Sequence, residues 1–208
     1  MSNKKNWVKK AGFVLAIVLM LTPALAAAPG NAGFYVGTGI GGAIPRHEGD
    51  LAELIEAENG LGWELLHLGY NFTDNFGMGL QWGAAAGPAE SDILWGQGYL
   101  VLSGRFSHVV NERFVPYLEI GLGPYLFMYL EENPEDEIVS DPVLGFRFAL
   151  GASFYFGRFY IGPELSYHVA RYSDWSYRPE EGGSFDFESD ETGDMLLILL
   201  KFGFHSRR

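Results

Sequence analysis

Residues 143–156 alternate, one by one, between mostly bulky apolar side chains and side chains that are small or polar. The apolar positions are Leu144, Phe146, Phe148, Leu150, Ala152, Phe154 and Phe156. The positions between them are Gly145, Arg147, Ala149, Gly151, Ser153 and Tyr155. Successive side chains of a β-strand point in opposite directions, so a period of two separates these two sets onto opposite faces. The segment is therefore predicted to be a strand with one large apolar face.

The same alternation recurs in eight segments, separated by turn and loop residues. They span residues 33–43, 61–72, 76–86, 94–106, 114–129, 143–156, 158–170 and 194–204. Connections after the even-numbered segments are short, and those after the odd-numbered segments tend to be longer. The short ones are 73–75, 107–113 and 157, and the longer ones are 44–60, 87–93, 130–142 and 171–193. Short turns at one end and long loops at the other are typical of an up-and-down antiparallel barrel.

The direction of the apolar face separates a soluble barrel from a membrane barrel. A secreted soluble barrel, such as a lipocalin, encloses its apolar face. The apolar rows of this chain are bulkier than a narrow eight-stranded interior could hold, and the opposite rows are small or polar. We therefore predict an all-β protein, an eight-stranded antiparallel up-and-down transmembrane β-barrel with short periplasmic turns and long acidic extracellular loops. Aromatic residues near the segment ends would form its interfacial girdles: Trp63, Tyr70, Phe72, Phe76, Trp95, Phe106, Phe114, Tyr129, Phe156, Phe159 and Phe204.

The N-terminus has the pattern of a secretory signal peptide. Four lysines precede an apolar run from Ala11 to Leu21, and small residues follow it. Cleavage after Ala26, or alternatively after Ala28, would leave the barrel as residues 27–208. An uncleaved anchor is the alternative, although the apolar run is short for a spanning helix.

Charge and composition exclude several classes of function. The chain has no cysteine, which excludes disulfides and thiolate zinc sites. Residues 27–208 carry 10 basic and 26 acidic side chains, so binding to nucleic acid is not expected. Dense carboxylates in the loops could bind divalent cations weakly, but they lack the spacing of an EF-hand. We expect no cofactor and no structural metal.

Three features resemble a known family. They are Gly-Phe-Tyr-Val-Gly-Thr-Gly-Ile-Gly-Gly at 33–42, Pro-Tyr-Leu-Glu-Ile-Gly-Leu-Gly at 116–123, and an aromatic residue, Phe204, at the end of the last segment. Over residues 33–204 the chain resembles the eight-stranded outer-membrane β-barrel proteins, the OmpA/OmpX/OmpW-like outer membrane protein beta-barrel domain family. The resemblance implies a cell outer membrane location and insertion by the barrel-assembly machinery. That machinery commonly reads a terminal Phe, whereas four residues follow Phe204 here.

The rows opposite the apolar face carry a set of polar side chains that would point into the barrel. These are Gln81, Arg105, Glu119, Arg147, Glu164, His168 and Lys201. The five charges belong to consecutive segments and alternate in sign. Neighbouring strands are about 5 Å apart, so we predict a ladder of ion pairs that plugs the interior. A narrow or gated conduit is the functional alternative.

Glu164, Ser166 and His168 share one face of a strand and are the candidates for a hydrolase site. Residues two apart along a strand are separated by 6–7 Å, which is beyond the hydrogen-bond reach that a nucleophile and its base need. Lipid A deacylase barrels carry a His-x-Ser motif, and here His168 is followed by Val169 and Ala170. We therefore expect no catalysis.

These features predict a non-catalytic integral outer-membrane barrel of a Gram-negative bacterium, with a structural or surface-interaction role. A narrow OmpW-like channel for small or hydrophobic solutes is the alternative function, and a lipid A-modifying hydrolase is the third. The expected partners are outer-membrane lipids, lipopolysaccharide and the assembly machinery. We expect the protein to be a monomer.

Overall fold

The computed structural model describes residues 31–89, 93–131, 136–179 and 183–206. The strands in this part of the chain are β1 (Gly33–Glu48), β2 (Gly60–Asn71), β3 (Phe76–Pro88), β4 (Ile93–Ser107), β5 (Phe114–Glu131), β6 (Glu137–Ser140), β7 (Val143–Phe156), β8 (Phe159–Val169), β9 (Arg171–Arg178) and β10 (Phe185–His205). One short helix, α1 (Asp50–Leu54), follows β1. Within these ranges no helix is both long and apolar enough to cross a membrane. The predicted signal peptide, residues 1–26, lies outside the described residues.

Eight of the strands close into a ring in the order β1-β2-β3-β4-β5-β7-β8-β10. Neighbours are antiparallel throughout. The ring closes where β10 pairs with β1, from Tyr35 opposite His205 to Glu48 opposite Thr192. The predicted eight-stranded antiparallel barrel is therefore confirmed.

The wall continues beyond β7 and β8 at the long-loop end. There β6 pairs with both β5 and β9, and β9 pairs with the first half of β10. The prediction of loops over 130–142 and 171–193 is therefore wrong for much of those stretches. The outer faces of these strands are polar, so the apolar alternation that marks a membrane strand is absent, and only pairing with β5 and β10 makes them strands.

Apolar side chains cover the outside of the ring. Leu61, Leu144 and Phe156 each expose more than 60% of their surface. An apolar surface of this extent is unsuited to water and suited to hydrocarbon. At the short-turn end, outward aromatic rings meet with centroids 5.0–6.1 Å apart, in the pairs Tyr70–Phe72, Phe72–Phe76, Phe76–Phe106, Phe114–Phe154 and Phe159–Phe204. These pairs form a girdle at that end. Two predicted girdle residues, Trp95 and Tyr129, are instead buried inside the barrel, so that part of the prediction is wrong.

Interior glycines make room for tyrosine rings that lean over the neighbouring strand. A Cβ atom at Gly151 would lie 2.5 Å from the ring of Tyr117, and one at Gly145 would lie 2.5 Å from the ring of Tyr125. The Tyr117 ring is itself held between Arg105, whose guanidinium lies 3.7 Å from the ring centroid, and Glu164. Glycine is thus required inside because these rings occupy the space of its missing side chain.

Gly151→Ala should destabilise the barrel by about 1–3 kcal/mol, because Tyr117 cannot withdraw without losing both of its partners. Gly98→Ala is the matched control: Gly98 lies on the outward face with open space around its Cα. That control should be neutral or slightly stabilising, since alanine lowers the entropy of the unfolded chain. Urea unfolding of the chain refolded in lipid vesicles measures the free energy of unfolding of both variants. An equal change in the two would contradict the explanation that the Tyr117 ring occupies the space of a side chain at position 151.

Candidate functional site inside the barrel

Six ionisable side chains meet at the centre of the barrel. Three are acids and three are bases, and each is at most 3% exposed: Glu64, Glu119, Glu164, Arg105, Arg147 and Lys201. We call this set the ionic layer. Its charges balance when all six are ionised, which is the condition under which a group of buried charges is tolerable.

The ionic layer forms a continuous chain of contacts around the wall. The N···O distances are 3.5 Å for Arg105–Glu119, 2.8 Å for Glu119–Arg147, 2.5 Å for Arg147–Glu164, 3.1 Å for Glu164–Lys201 and 2.7 Å for Lys201–Glu64. A longer contact of 3.8 Å joins Arg147 to Glu64 across the interior. The structure thus places the five predicted charges side by side in the predicted order, and Glu64 extends the chain.

Sequence reasoning missed Glu64. Counting back from the inward His67 by a period of two leaves Glu64 on the outward face. A register shift between Glu64 and Leu66 in the β2–β3 pairing resets the alternation and turns Glu64 inward. The sequence held one signal for a missing acid. The five predicted charges include one more positive than negative charge, so a balanced interior needs one further carboxylate.

Neutral side chains satisfy further groups of the ionic layer. The Gln81 amide nitrogen donates to Glu119 at 2.8 Å and to Ser103 at 2.9 Å. The Tyr117 hydroxyl donates to Glu164 at 2.9 Å, and Lys201 Nζ donates to His67 Nδ1 at 2.6 Å. Gln81 is therefore part of the same network, as its predicted position required.

His168 lies apart from the ionic layer, among aromatic rings. Its Nδ1 is 3.0 Å from the Tyr125 hydroxyl and its Nε2 is 3.2 Å from Ser166 Oγ. The expectation that Ser166 and His168 are out of reach is therefore wrong, because the imidazole spans the distance between positions two apart. Glu164 does not complete a triad, since its oxygens bind Arg147, Lys201 and Tyr117.

An aromatic layer covers the ionic layer on the long-loop side. It consists of side chains that are at most 3% exposed: Trp95, Tyr99, Tyr125, Phe127, Tyr172, Trp175, Met195 and Leu197. Above it, Glu191 on β10 accepts hydrogen bonds from the backbone N–H groups of Leu51 at 2.8 Å and Ala52 at 3.4 Å, which holds α1 over the barrel. No group of three or more His, Cys, Asp or Glu in the described part of the chain is arranged to hold a metal ion.

A family model for the outer membrane protein beta-barrel domain matches residues 13–186, which is most of the chain. The chain belongs to the outer membrane protein beta-barrel family. The resemblance noted in the sequence is thereby confirmed, and so is the location in the outer membrane. In this family the short turns face the periplasm and the long loops face the outside. No curated protein sequence matches the chain.

Solved outer-membrane barrels have a similar fold at low sequence identity. OprG from Pseudomonas aeruginosa superposes with a TM-score of 0.57 and 14% identity, over 86% of this chain and 99% of that chain. Neisserial surface protein A superposes with a TM-score of 0.56 and 12% identity, over 85% and 99%. At these identities the likeness concerns the fold alone.

Glu64→Gln should destabilise this outer-membrane barrel by roughly 3–5 kcal/mol, because it leaves an uncompensated positive charge in the ionic layer. Glu137→Gln is the control, since it breaks the Arg178–Glu137 pair, whose side chains are 55% and 34% exposed. That loss should stay below about 1 kcal/mol. Urea unfolding in vesicles compares the two, and an equal loss would mean that Glu64 is not paired inside.

Proposed function

We propose that this protein is a non-catalytic outer-membrane barrel whose interior is closed, and that its role is structural or lies in contacts made by its extracellular end. The charge-balanced ionic layer carries this proposal. An eight-stranded barrel is only just wide enough for its own side chains, and here six charged side chains meet across it with contacts of 2.5–3.8 Å. A passing solute would have to separate these pairs.

The energetic cost of opening supports a plug over a channel. Removing one partner of a buried ion pair costs about 3–5 kcal/mol, because the other charge stays in a medium of low polarity. Separating these pairs to let a solute pass meets the same kind of cost. The aromatic layer adds a second barrier, in which Phe127 and Trp175 have ring centroids 6.0 Å apart. Two successive barriers of different chemistry exclude polar and apolar solutes alike from the axial path.

The extracellular end supports a role in surface contacts. Strands β6 and β9 and the first half of β10 continue the wall above the apolar belt, and their outer side chains are mostly polar. Two clefts open to solvent at this end, and both are lined by Asp174 and Glu188. We infer that this acidic surface is what the barrel displays.

Catalysis is not part of the proposal. Ser166 and His168 are within hydrogen-bond distance, but each is at most 1% exposed, and the nearby rings of Tyr99 and Tyr125 cover His168. The carboxylate of Glu164 is committed to the ionic layer. A hydrolase needs an accessible nucleophile, and the Ser166 hydroxyl of this cluster is buried.

The conductance of the refolded chain in a planar lipid bilayer tests the plug. We expect no stable current steps from the wild type. The double variant Arg147→Ser with Glu164→Ser removes one charge of each sign and shortens two central side chains, so it should produce steps. The matched control, Arg178→Ser with Glu137→Ser, also removes one charge of each sign, but on the exposed extracellular surface. We expect no current steps from it. Stable steps from the wild type would contradict the proposal.

A lateral route for small apolar solutes is the second candidate, and an interruption in the wall favours it. The β7–β8 ladder ends at Phe146 opposite Val169, and the β6–β9 ladder begins at Ser140 opposite Trp175. The two ladders share one register, so residues 142–145 face 170–173 without ladder pairing between them. Pro142, which has no N–H to donate, lies in this stretch.

A disulfide across the interruption separates the two candidates. The chain contains no cysteine, so Leu144→Cys with Arg171→Cys gives a unique pair at positions that face each other. If the wall is a lateral gate, oxidation should stop uptake of a small aromatic hydrocarbon into vesicles, and reduction should restore it. Under the closed-barrel proposal, uptake equals that of empty vesicles in both states.

A further inference from the structure

Two arginines distinguish one side of the barrel. Of the basic side chains in the described ranges, Arg105, Arg147 and Lys201 lie in the ionic layer, and Arg113 and Arg158 lie at the periplasmic turns. At the extracellular end Arg178 pairs with Glu137 at 3.2 Å. The remaining two, Arg46 and Arg171, make no ion pair with a carboxylate of any described residue.

Arg46 and Arg171 flank the same strand. Arg46 on β1 lies opposite Asp194 of β10, and Arg171 on β9 lies opposite Thr192 of β10. Two strand spacings across the sheet and one two-residue step along it put their Cα atoms about 12 Å apart. Both are exposed on the outer face, so two long cationic side chains bracket one patch of the wall.

This patch lies at the edge of the apolar belt. Ile44 on β1, Val169 on β8 and Leu196 on β10 are the next outward positions toward the membrane. An extracellular position directly above the belt is the level of the headgroups of the outer leaflet. The guanidinium groups therefore lie where a lipid carries its charge.

One carboxylate, that of Asp194, lies between the two arginines and directly opposite Arg46, and it keeps its negative charge. Asp194 accepts a hydrogen bond from the Tyr167 hydroxyl on the outer face. Glu48 is the other acid on the outer face of β1 near the patch, opposite Thr192. Elsewhere the described extracellular surface is acidic and repels anions, so this patch, in which two arginines offset Asp194 and Glu48, is the side where an anion is repelled least.

We propose that Arg46 and Arg171 form a binding site for the phosphate group of an outer-leaflet lipid, whose acyl chains lie along Ile44, Leu196 and Val169. Guanidinium groups bind phosphate through paired, charge-assisted hydrogen bonds. The site is independent of whether the interior conducts, and it fixes which side of the barrel holds the lipid.

Native mass spectrometry of the refolded chain in detergent micelles tests the site, with lipid A in diphosphorylated, monophosphorylated and dephosphorylated forms of the same acylation. The wild type should bind the phosphorylated forms at least tenfold more tightly than the dephosphorylated form. Arg46→Gln with Arg171→Gln should abolish that preference. Arg178→Gln with Arg113→Gln removes the same charge elsewhere and should keep it. Asp194→Asn should tighten binding of the phosphorylated forms.

Three outcomes of these binding measurements would overturn the proposal, and a fourth comes from competition with inorganic phosphate. They are equal binding of phosphorylated and dephosphorylated lipid, an unchanged preference in the Arg46→Gln and Arg171→Gln double variant, and an equal loss in the control. Displacement by inorganic phosphate alone, at the concentration at which lipid A itself competes, would mean a free-anion site and would also overturn it. Heat-dependent mobility in gels verifies that each variant is folded.

Discussion

A bilayer offers no water to backbone N–H and C=O groups, so a chain that crosses it with strands must pair every strand edge. In this protein the pairing of β10 with β1 meets that requirement by closing the ring. Closure at eight strands fixes a narrow interior. The narrow interior in turn requires glycine beside several inward tyrosine rings, as at Gly145 and Gly151, and leaves little room for solvent around the charges.

The charges inside obey a second constraint, which is compensation. Three acids and three bases are buried together, and each contacts at least one of opposite sign. Because four of the five contacts join neighbouring strands, they also oppose any slip in register, since a shift by one residue would turn the inward charge of that strand toward lipid. The ionic layer, which we propose closes the barrel to solutes, is thus also a feature that specifies its fold.

The outer surface has three levels, and each matches the part of the bilayer or the solvent that it faces. Aromatic rings gather at the periplasmic end, apolar side chains cover the middle, and polar strands with acidic clefts rise at the extracellular end. Arg46 and Arg171 are exceptions to the acidity of that end, and they lie at the boundary with the belt. Their position at that boundary is what the proposed site for a lipid phosphate rests on.

The sequence by itself determined the number of strands in the ring, the direction of the apolar face and five of the six central charges. Each of these follows from a period of two, which is a local property that every segment displays on its own. Glu64, the strands β6 and β9 and the approach of Ser166 to His168 were decided only by the tertiary structure. The β2 bulge changes which face Glu64 occupies, and β6 and β9 are strands because β5 and β10 extend past β7 and β8. Such effects depend on partners distant in the chain, and no local period records them.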